Sequence, residues 1–262
     1  MIDIKTKEEI EKMAEGGKIL AQVLDEVLKN IRVGVSEIEL DKLAEEEILR
    51  RGAKPAFKKV KNYTNAICVS TNNAVVHGIP TKYKFKEGDL AGIDCGVYFK
   101  GLNTDMAETL RVKNQKSKKV IPSVSKNQKD EIDKFLETGE RALNEAIKIA
   151  RAGNRIGHIS KTIQDIVEGS GYSVVRNLVG HGIGKKLHEE PEVPGFLDTN
   201  INRTPTLKAG MTIAIEVIYN MGGSDVFLSK DGWTIKTRDK SLSGVFERTI
   251  AITQNEPLIL TK

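Results

Sequence analysis

Two stretches of this chain can be laid on each other, and each puts an acid inside an apolar strand. Lys86-Glu87-Gly88-Asp89-Leu90-Ala91-Gly92-Ile93-Asp94 and Lys208-Ala209-Gly210-Met211-Thr212-Ile213-Ala214-Ile215-Glu216 both read Lys-x-Gly, four residues, isoleucine and an acid. Each predicts a turn that leads into a strand with a carboxylate in it. A second acid follows in both cases: Asp105 past the Phe99 to Asn103 turn, and Glu247 after a longer excursion through Trp233. The pattern implies two related halves, each giving a carboxylate pair to one shared site.

The neighbours of these acids narrow the choices. Asp94 lies between Ile93 and Val97, Glu216 between Ile215 and Ile218, and Glu247 among Val245, Phe246 and Ile250. An ionised carboxylate buried among such residues costs many kcal/mol unless it protonates or meets a cation. Few basic residues stand inside these strands, Arg248 being one. Separate salt bridges are one solution. Four acids and a histidine converging on metal ions are the better one.

The histidine candidates lie in GHGIGKKLHEEP, Gly180 to Pro191, which holds His181 and His188, two of the four histidines in the chain. A zinc-protease helix starting at His188 would need a histidine at 192, where Glu192 stands. Gly180, Gly182 and Gly184 also argue against a helix. The segment reads as a strand ending at Val179, a glycine-rich turn, and an extended piece presenting His188. His77 ends a second apolar run, Val75-Val76-His77-Gly78-Ile79-Pro80, where a structural histidine is the ordinary expectation.

The rest of the chain supplies a frame. Its 262 residues suit one large domain or two small ones. A net charge of +5 is only mildly basic. Two cysteines, Cys68 and Cys95, make no disulfide framework, so a reducing cytoplasm is expected. The charged N-terminus carries no signal-peptide pattern, and no stretch approaches the roughly 20 apolar residues of a membrane span. Thr6 with Glu9 and Ser36 with Glu39 predict capping boxes. The first helix should end at Gly34 and the second near Arg51, both serving as packing elements. Helices are also expected over Asp130 to Ala150 and Ile156 to Gly169, with His158 a surface or packing residue. Two helices then precede the strands in each half. Arg111 to Lys129 holds no acid and many lysines, and reads as an exposed basic loop, with ribosomal RNA phosphates as the functional alternative.

Together these residues resemble a type 1 methionine aminopeptidase. The resemblance rests on VVHGIP at 75 to 80, Asp94 and Asp105 eleven residues apart, GHGIG followed by HEEP, Glu216 after LKAGM, and Glu247 after DGWTIKTRDKSLS. It implies an α+β, pita-bread fold: a pseudo-twofold antiparallel sheet backed by two pairs of helices. Residues 1–262 would be a single catalytic domain with a basic loop insertion at about 112–128.

The resemblance further implies that Asp94, Asp105, His181, Glu216 and Glu247 hold two divalent ions (Co, Mn, Fe or Zn), with Asp105 and Glu247 bridging them. The activity implied is removal of the initiator methionine from nascent proteins whose second residue is small. A hydroxide held by the two ions would attack the Met carbonyl. Glu216 would carry the proton, His188 would stabilise the developing charge, and His77 would hold the following amide. His181 must be neutral to bind metal, so activity should fall on acidification. Phe57, Tyr63, Cys68, Leu187 and Trp233 are candidates for the methionine pocket.

The sequence departs from the family pattern at Val217, Arg248 and Thr104, and over Lys58 to Asn65, which lacks the usual glycines and prolines. The span from His188 to Glu216 leaves no room for the helical insertion of type 2 enzymes. The expected partners are nascent N-termini, with ribosome contact through the basic loop, no DNA and no membrane, and the protein is expected to be a monomer. The competing readings are a prolidase-like enzyme cleaving X-Pro bonds and a metal-free binding module of the same fold.

Overall fold

A computed structural model describes residues 2–113 and 130–262. Most of the basic loop at about 112–128 therefore lies outside the described residues. In the first half, α1 (Lys7–Asn30) and α2 (Glu37–Arg50) precede strands β1 (Lys54–Pro55), β2 (Ile67–Thr71), β3 (Ala74–Val76), β4 (Leu90–Phe99) and β5 (Leu102–Arg111). In the second, α3 (Glu131–Ile149) and α4 (Ile156–Gly169) precede β6 (Ser173–Val174), β7 (Val179–Gly182), β8 (Glu189–Pro194) and β9 (Thr212–Asn220). Strands β10 (Val226–Leu228), β11 (Ile235–Thr237), β12 (Ser243–Ala251) and β13 (Leu258–Ile259) complete the chain. The order of two helices and then strands, twice over, matches the expectation.

Both predicted capping boxes form. The Thr6 N–H donates to Glu9, and the Ser36 N–H to Glu39, each at 2.8 Å. The first helix stops at Asn30 rather than Gly34; Gly34 instead adopts φ +90° in the following turn. The second helix does more than pack. Its buried stripe includes two acids, Glu37 and Asp41. Asp41 accepts from the backbone N–H groups of Ala66 (2.7 Å) and Ile67 (3.2 Å), and so anchors the start of β2. His158 accepts from the Arg155 N–H (2.9 Å) at the head of α4, a capping role.

A ten-stranded sheet runs in the order β1-β4-β5-β12-β9-β7-β8, with β2, β6 and β13 paired at its sides. A smaller sheet, β10-β11-β3, is separate in its hydrogen bonding and packs through β3 on β2 and β12. Helix α1 packs on β4 and β5, and α3 on β9 and β12, so each half buries its own apolar cluster behind the sheet. Lys100 and Gly101, both at positive φ, make the two-residue turn that fixes the β4–β5 register.

The halves meet at β5 and β12. Glu247 faces Ala107 there. Beyond that pair the hydroxyl of Thr249 takes over the ladder, accepting from the Asp105 N–H (2.9 Å) and donating to the Asp105 carbonyl (2.8 Å). Thr109 does the same for Val245, at 2.9 and 2.8 Å. Thr109 stands two residues after Ala107, and Thr249 two residues after Glu247, so the two bridges are related by the pseudo-twofold axis.

The same register refines the repeat. Asp94 and Glu216 are equivalent, since they face Ala107 and Glu247 respectively. The second acids are not. The counterpart of Glu247 is Ala107, and that of Asp105 is Val245.

Because side chains alternate along a strand, these pairings put all five candidate ligands on one face. One row across the sheet reads Cys68, Asp94, Ala107, Glu247, Glu216. The adjacent row carries Asp105, Thr249, Ala214 and His181.

Replacing either bridging threonine by valine should cost about 1–3 kcal/mol, because a buried N–H and carbonyl lose their partner. Thermal unfolding should show similar losses for Thr109→Val and Thr249→Val. Only Thr249→Val, which frees the backbone of Asp105, should also weaken binding of a divalent ion in a calorimetric titration.

Candidate active site

His181 reaches the site on β7, and here the structure corrects the sequence reading. The strand does not end at Val179 but runs on through Gly180, His181 and Gly182. The glycines serve close approach rather than a turn. A Cβ on Gly180 would lie 2.5 Å from the Ala214 carbonyl, and one on Gly182 would strike the carbonyl of Glu190. Small residues on both sides of His181 let β7 sit tightly between β8 and β9. His188 follows in a segment of bends just before β8 rather than in the extended piece expected, with its ring edge-on to His181 at 4.4 Å between centroids.

The His181 Nδ1–H donates to the Gly182 carbonyl at 2.8 Å. A carbonyl can only accept, so the proton is fixed on Nδ1 and the lone pair of Nε2 faces the acids. Nε2 lies 3.5 Å from Glu216 Oε1. Ligand atoms of Asp105, His181 and Glu247 all fall within 4.8 Å of one another. Burial pushes Asp94 up to about 7, and burial with the nearby Asp94 pushes Glu216 up to about 8. Burial drives Asp105 and Glu247 well above the carboxylate range, with charge repulsion from the other acids adding to it. Burial lowers His181 to about 3, so on acidification the carboxylates take up protons before this imidazole does.

This cluster fits a cation. Asp94 Oδ1 and Glu247 Oε1 are buried without a hydrogen-bond partner among the described residues. No lysine or arginine is among the residues that line the cavity above them. Arg248 points to the other face of the sheet, where it pairs with Glu108 at 2.7 Å and donates to the carbonyls of Glu247 (2.7 Å) and Ala107 (3.2 Å). Of the other departures from the family pattern, Val217 and Thr104 are both buried. Carboxylates with one imidazole suit Mn, Fe, Co or Zn.

Over the acids lies a cavity of about 100 Å³. All five residues expected at the methionine pocket line it: Phe57, Tyr63, Cys68, Leu187 and Trp233. Tyr63 stands edge-on to Trp233 at 5.1 Å and to Phe57 at 6.3 Å, and its hydroxyl donates to the Ile67 carbonyl at 2.8 Å. The sequence reading missed Val60 and Val76, which line the same cavity. It also missed Asp41, whose carboxylate holds the chain beside this wall. An acid on the apolar stripe of α2 was the available signal for Asp41.

A second, open groove of about 750 Å³ adjoins the cavity. Val76, His77, His181, His188 and Glu216 line both and so stand at the junction. His77 takes φ +56°, an uncommon conformation for a residue with a side chain, at the point where β3 ends. Burial keeps His77 and His188 below the usual imidazole range, so both are neutral near pH 7.

Residues 11–254 match the family described as Metallopeptidase family M24. The chain belongs to that family. Within M24 it groups with the methionine aminopeptidases. It is 42% identical over 261 residues to the methionine aminopeptidase of Clostridium perfringens (strain 13 / Type A), covering 100% of this chain and 99% of that one. The crystal structure of methionine aminopeptidase from Thermotoga maritima is 40% identical, with a TM-score of 0.91 and full coverage of both chains. The prolidase from Pyrococcus furiosus shares the fold alone, at 24% identity and a TM-score of 0.75, with 99% of this chain matched to 65% of that one. The pita-bread fold and the resemblance read from the sequence are thus borne out. M24 membership makes the protein a metal-using hydrolase. As expected for a chain without the type 2 insertion, only a short 3-10 turn (Ile201–Arg203) lies between β8 and β9. No helix among the described residues is long and apolar enough to cross a membrane.

The raised carboxyl groups predict how stability follows pH in metal-free protein. Above about pH 7 unfolded carboxylates are ionised and unfolded histidines mostly neutral, while the folded cluster still holds protons. Folding therefore weakens as pH rises for as long as the folded state holds those extra protons. With a chelator present, stability should fall by about 1.4 kcal/mol per pH unit for each proton the folded cluster holds in excess, from about pH 7 to pH 8. Saturating Mn should abolish the slope. A flat profile in stripped protein would contradict the cluster's raised proton affinity.

Proposed function

We propose that the protein removes the N-terminal methionine from polypeptides whose second residue is small, using two divalent ions held by Asp94, Asp105, His181, Glu216 and Glu247. The observation that carries this reading is the junction of cavity and groove over the acid cluster. A thioether side chain suits the aromatic and small apolar walls of the cavity. The polypeptide downstream would then leave along the groove. That arrangement holds the first peptide bond beside Glu216, His77 and His188.

The bound ions would supply two things: a water made acidic enough to be a nucleophile near neutral pH, and polarisation of the carbonyl. The protein groups divide the remaining work. Glu216 takes the proton from the attacking water and passes it to the amide nitrogen of the second residue as the C–N bond breaks. His188 donates a hydrogen bond to the oxygen that gains negative charge. His77 holds the amide of the second residue. Both histidines are neutral, so each has one N–H to give and brings no extra charge into a site already crowded with carboxyls. Val76 and the imidazoles of His77, His181 and His188 line the junction, and crowding by them would favour a small second side chain.

Metal-stripped protein given back Mn, Fe, Co or Zn should release methionine from Met-Ala-Ser and leave Met-Lys-Ser intact. Cleavage of Ala-Pro-Ser alone, or equal rates on the two methionyl peptides, would overturn the proposal. His188→Ala should lower kcat about 100-fold, the size seen when one donor to a developing oxyanion is lost, with a much smaller change in KM.

A further inference from the structure

We infer that Lys5, which lines neither the cavity nor the groove, is a positioning residue for His188 and acts through Glu189. This rests on the role proposed above for His188. The Lys5 side chain is 1% exposed, an unusual place for an ammonium. Its Nζ lies 2.6 Å from Glu189 Oε2 and 3.2 Å from Asp3 Oδ2. A buried amine persists only where such partners meet it, and an apolar side chain of similar volume would fill the space at no such cost. The charge therefore serves an arrangement rather than bulk stability.

That arrangement is the segment 184–189, which carries Leu187 and His188. At its start, the Asn103 side-chain amide donates to the carbonyls of Gly184 (2.8 Å) and Lys185 (3.2 Å), and the Asn103 N–H also donates to Gly184 (2.7 Å). At its end, Glu189 uses both carboxylate oxygens. Oε1 accepts from the Lys186 N–H at 2.9 Å, closing the turn around His188, and Oε2 faces Lys5.

Lys5 is itself held firmly. Its N–H donates to the Gly210 carbonyl at 2.8 Å, in the turn that leads into β9, and it directly precedes the Thr6 cap of α1. Its stem lies over Gly184, where a Cβ would collide with Lys5 Cε. Helix α1, the turn before β9 and the His188 segment are thus tied at one ammonium. Without it, Glu189 turns to solvent, the 186–189 turn loosens, and the His188 ring loses its fixed approach to the carbonyl oxygen.

The test is a double-mutant cycle on the full chain loaded with Mn, using Met-Ala-Ser as substrate. Lys5→Met should lower kcat about 10- to 100-fold, as a misplacement of about 1 Å does, with KM and Mn affinity by calorimetry little changed. Gly184→Ala, which displaces the ammonium without removing it, should do the same and serves if Lys5→Met folds poorly. In a His188→Ala background the effect of Lys5→Met should vanish. A loss of equal size with and without His188 would overturn the inference, as would a Lys5→Met enzyme that loses only thermal stability or metal affinity. If His188→Ala alone leaves kcat unchanged, the role given to His188 fails first, and this inference falls with it.

Discussion

Mutual repulsion among buried carboxyl groups is the constraint that organises this protein. Asp94, Asp105, Glu216 and Glu247 share one face of one sheet, and no lysine or arginine among the described residues lines the cavity above them. Among the described residues, Asp94 Oδ1 and Glu247 Oε1 are buried with no partner. Either protons or cations must make up the difference. Much of the surrounding structure can be understood as holding the acids in place while that exchange occurs. Threonine hydroxyls stitch the seam between the halves, glycines let β7 approach, and Arg248 ties down the backbone of Glu247 from behind.

Burial gives the histidines a common property with separate uses. All three near the acids are held neutral by desolvation, without any compensating carboxylate contact strong enough to protonate them. For His181, whose Nδ1 proton is committed to a backbone carbonyl, neutrality leaves a lone pair directed at the acids. For His77 and His188, it leaves one N–H each beside the groove. A protonated imidazole could not act as a ligand, while a charged His188 would compete with the cations for the carboxylates.

Much of this was legible in the sequence because short-range rules govern it. Capping residues marked helix starts, a four-residue offset aligned Asp94 with Glu216, and buried acids demanded a common solution. The pocket residues Phe57, Tyr63, Cys68, Leu187 and Trp233 were candidates by position, and the cavity brings them together. What escaped was set by register between distant strands. Nothing local distinguishes a strand that runs through Gly180-His181-Gly182 from one that ends at Val179; the carbonyls of Ala214 and Glu190 decide it. The non-equivalence of Asp105 and Glu247 likewise depends on how β5 meets β12. Lys5 looks like an ordinary surface charge ahead of a helix until the loop it holds is folded against it, and Asp41 announces itself only by standing on the apolar stripe of α2.

The seam between the halves has a further consequence. Asp94 and Asp105 lie on one side of it, and His181, Glu216 and Glu247 on the other. An ion held among them is a rivet through two plates, added to the strand pairing, the hydroxyl bridges and the contacts of Lys5 and Asn103 that already cross the seam. Its binding energy is then also energy against parting the halves. The catalytic group and the fastener of the fold would be one object, so that an enzyme starved of metal is not just idle but more loosely closed along its own midline.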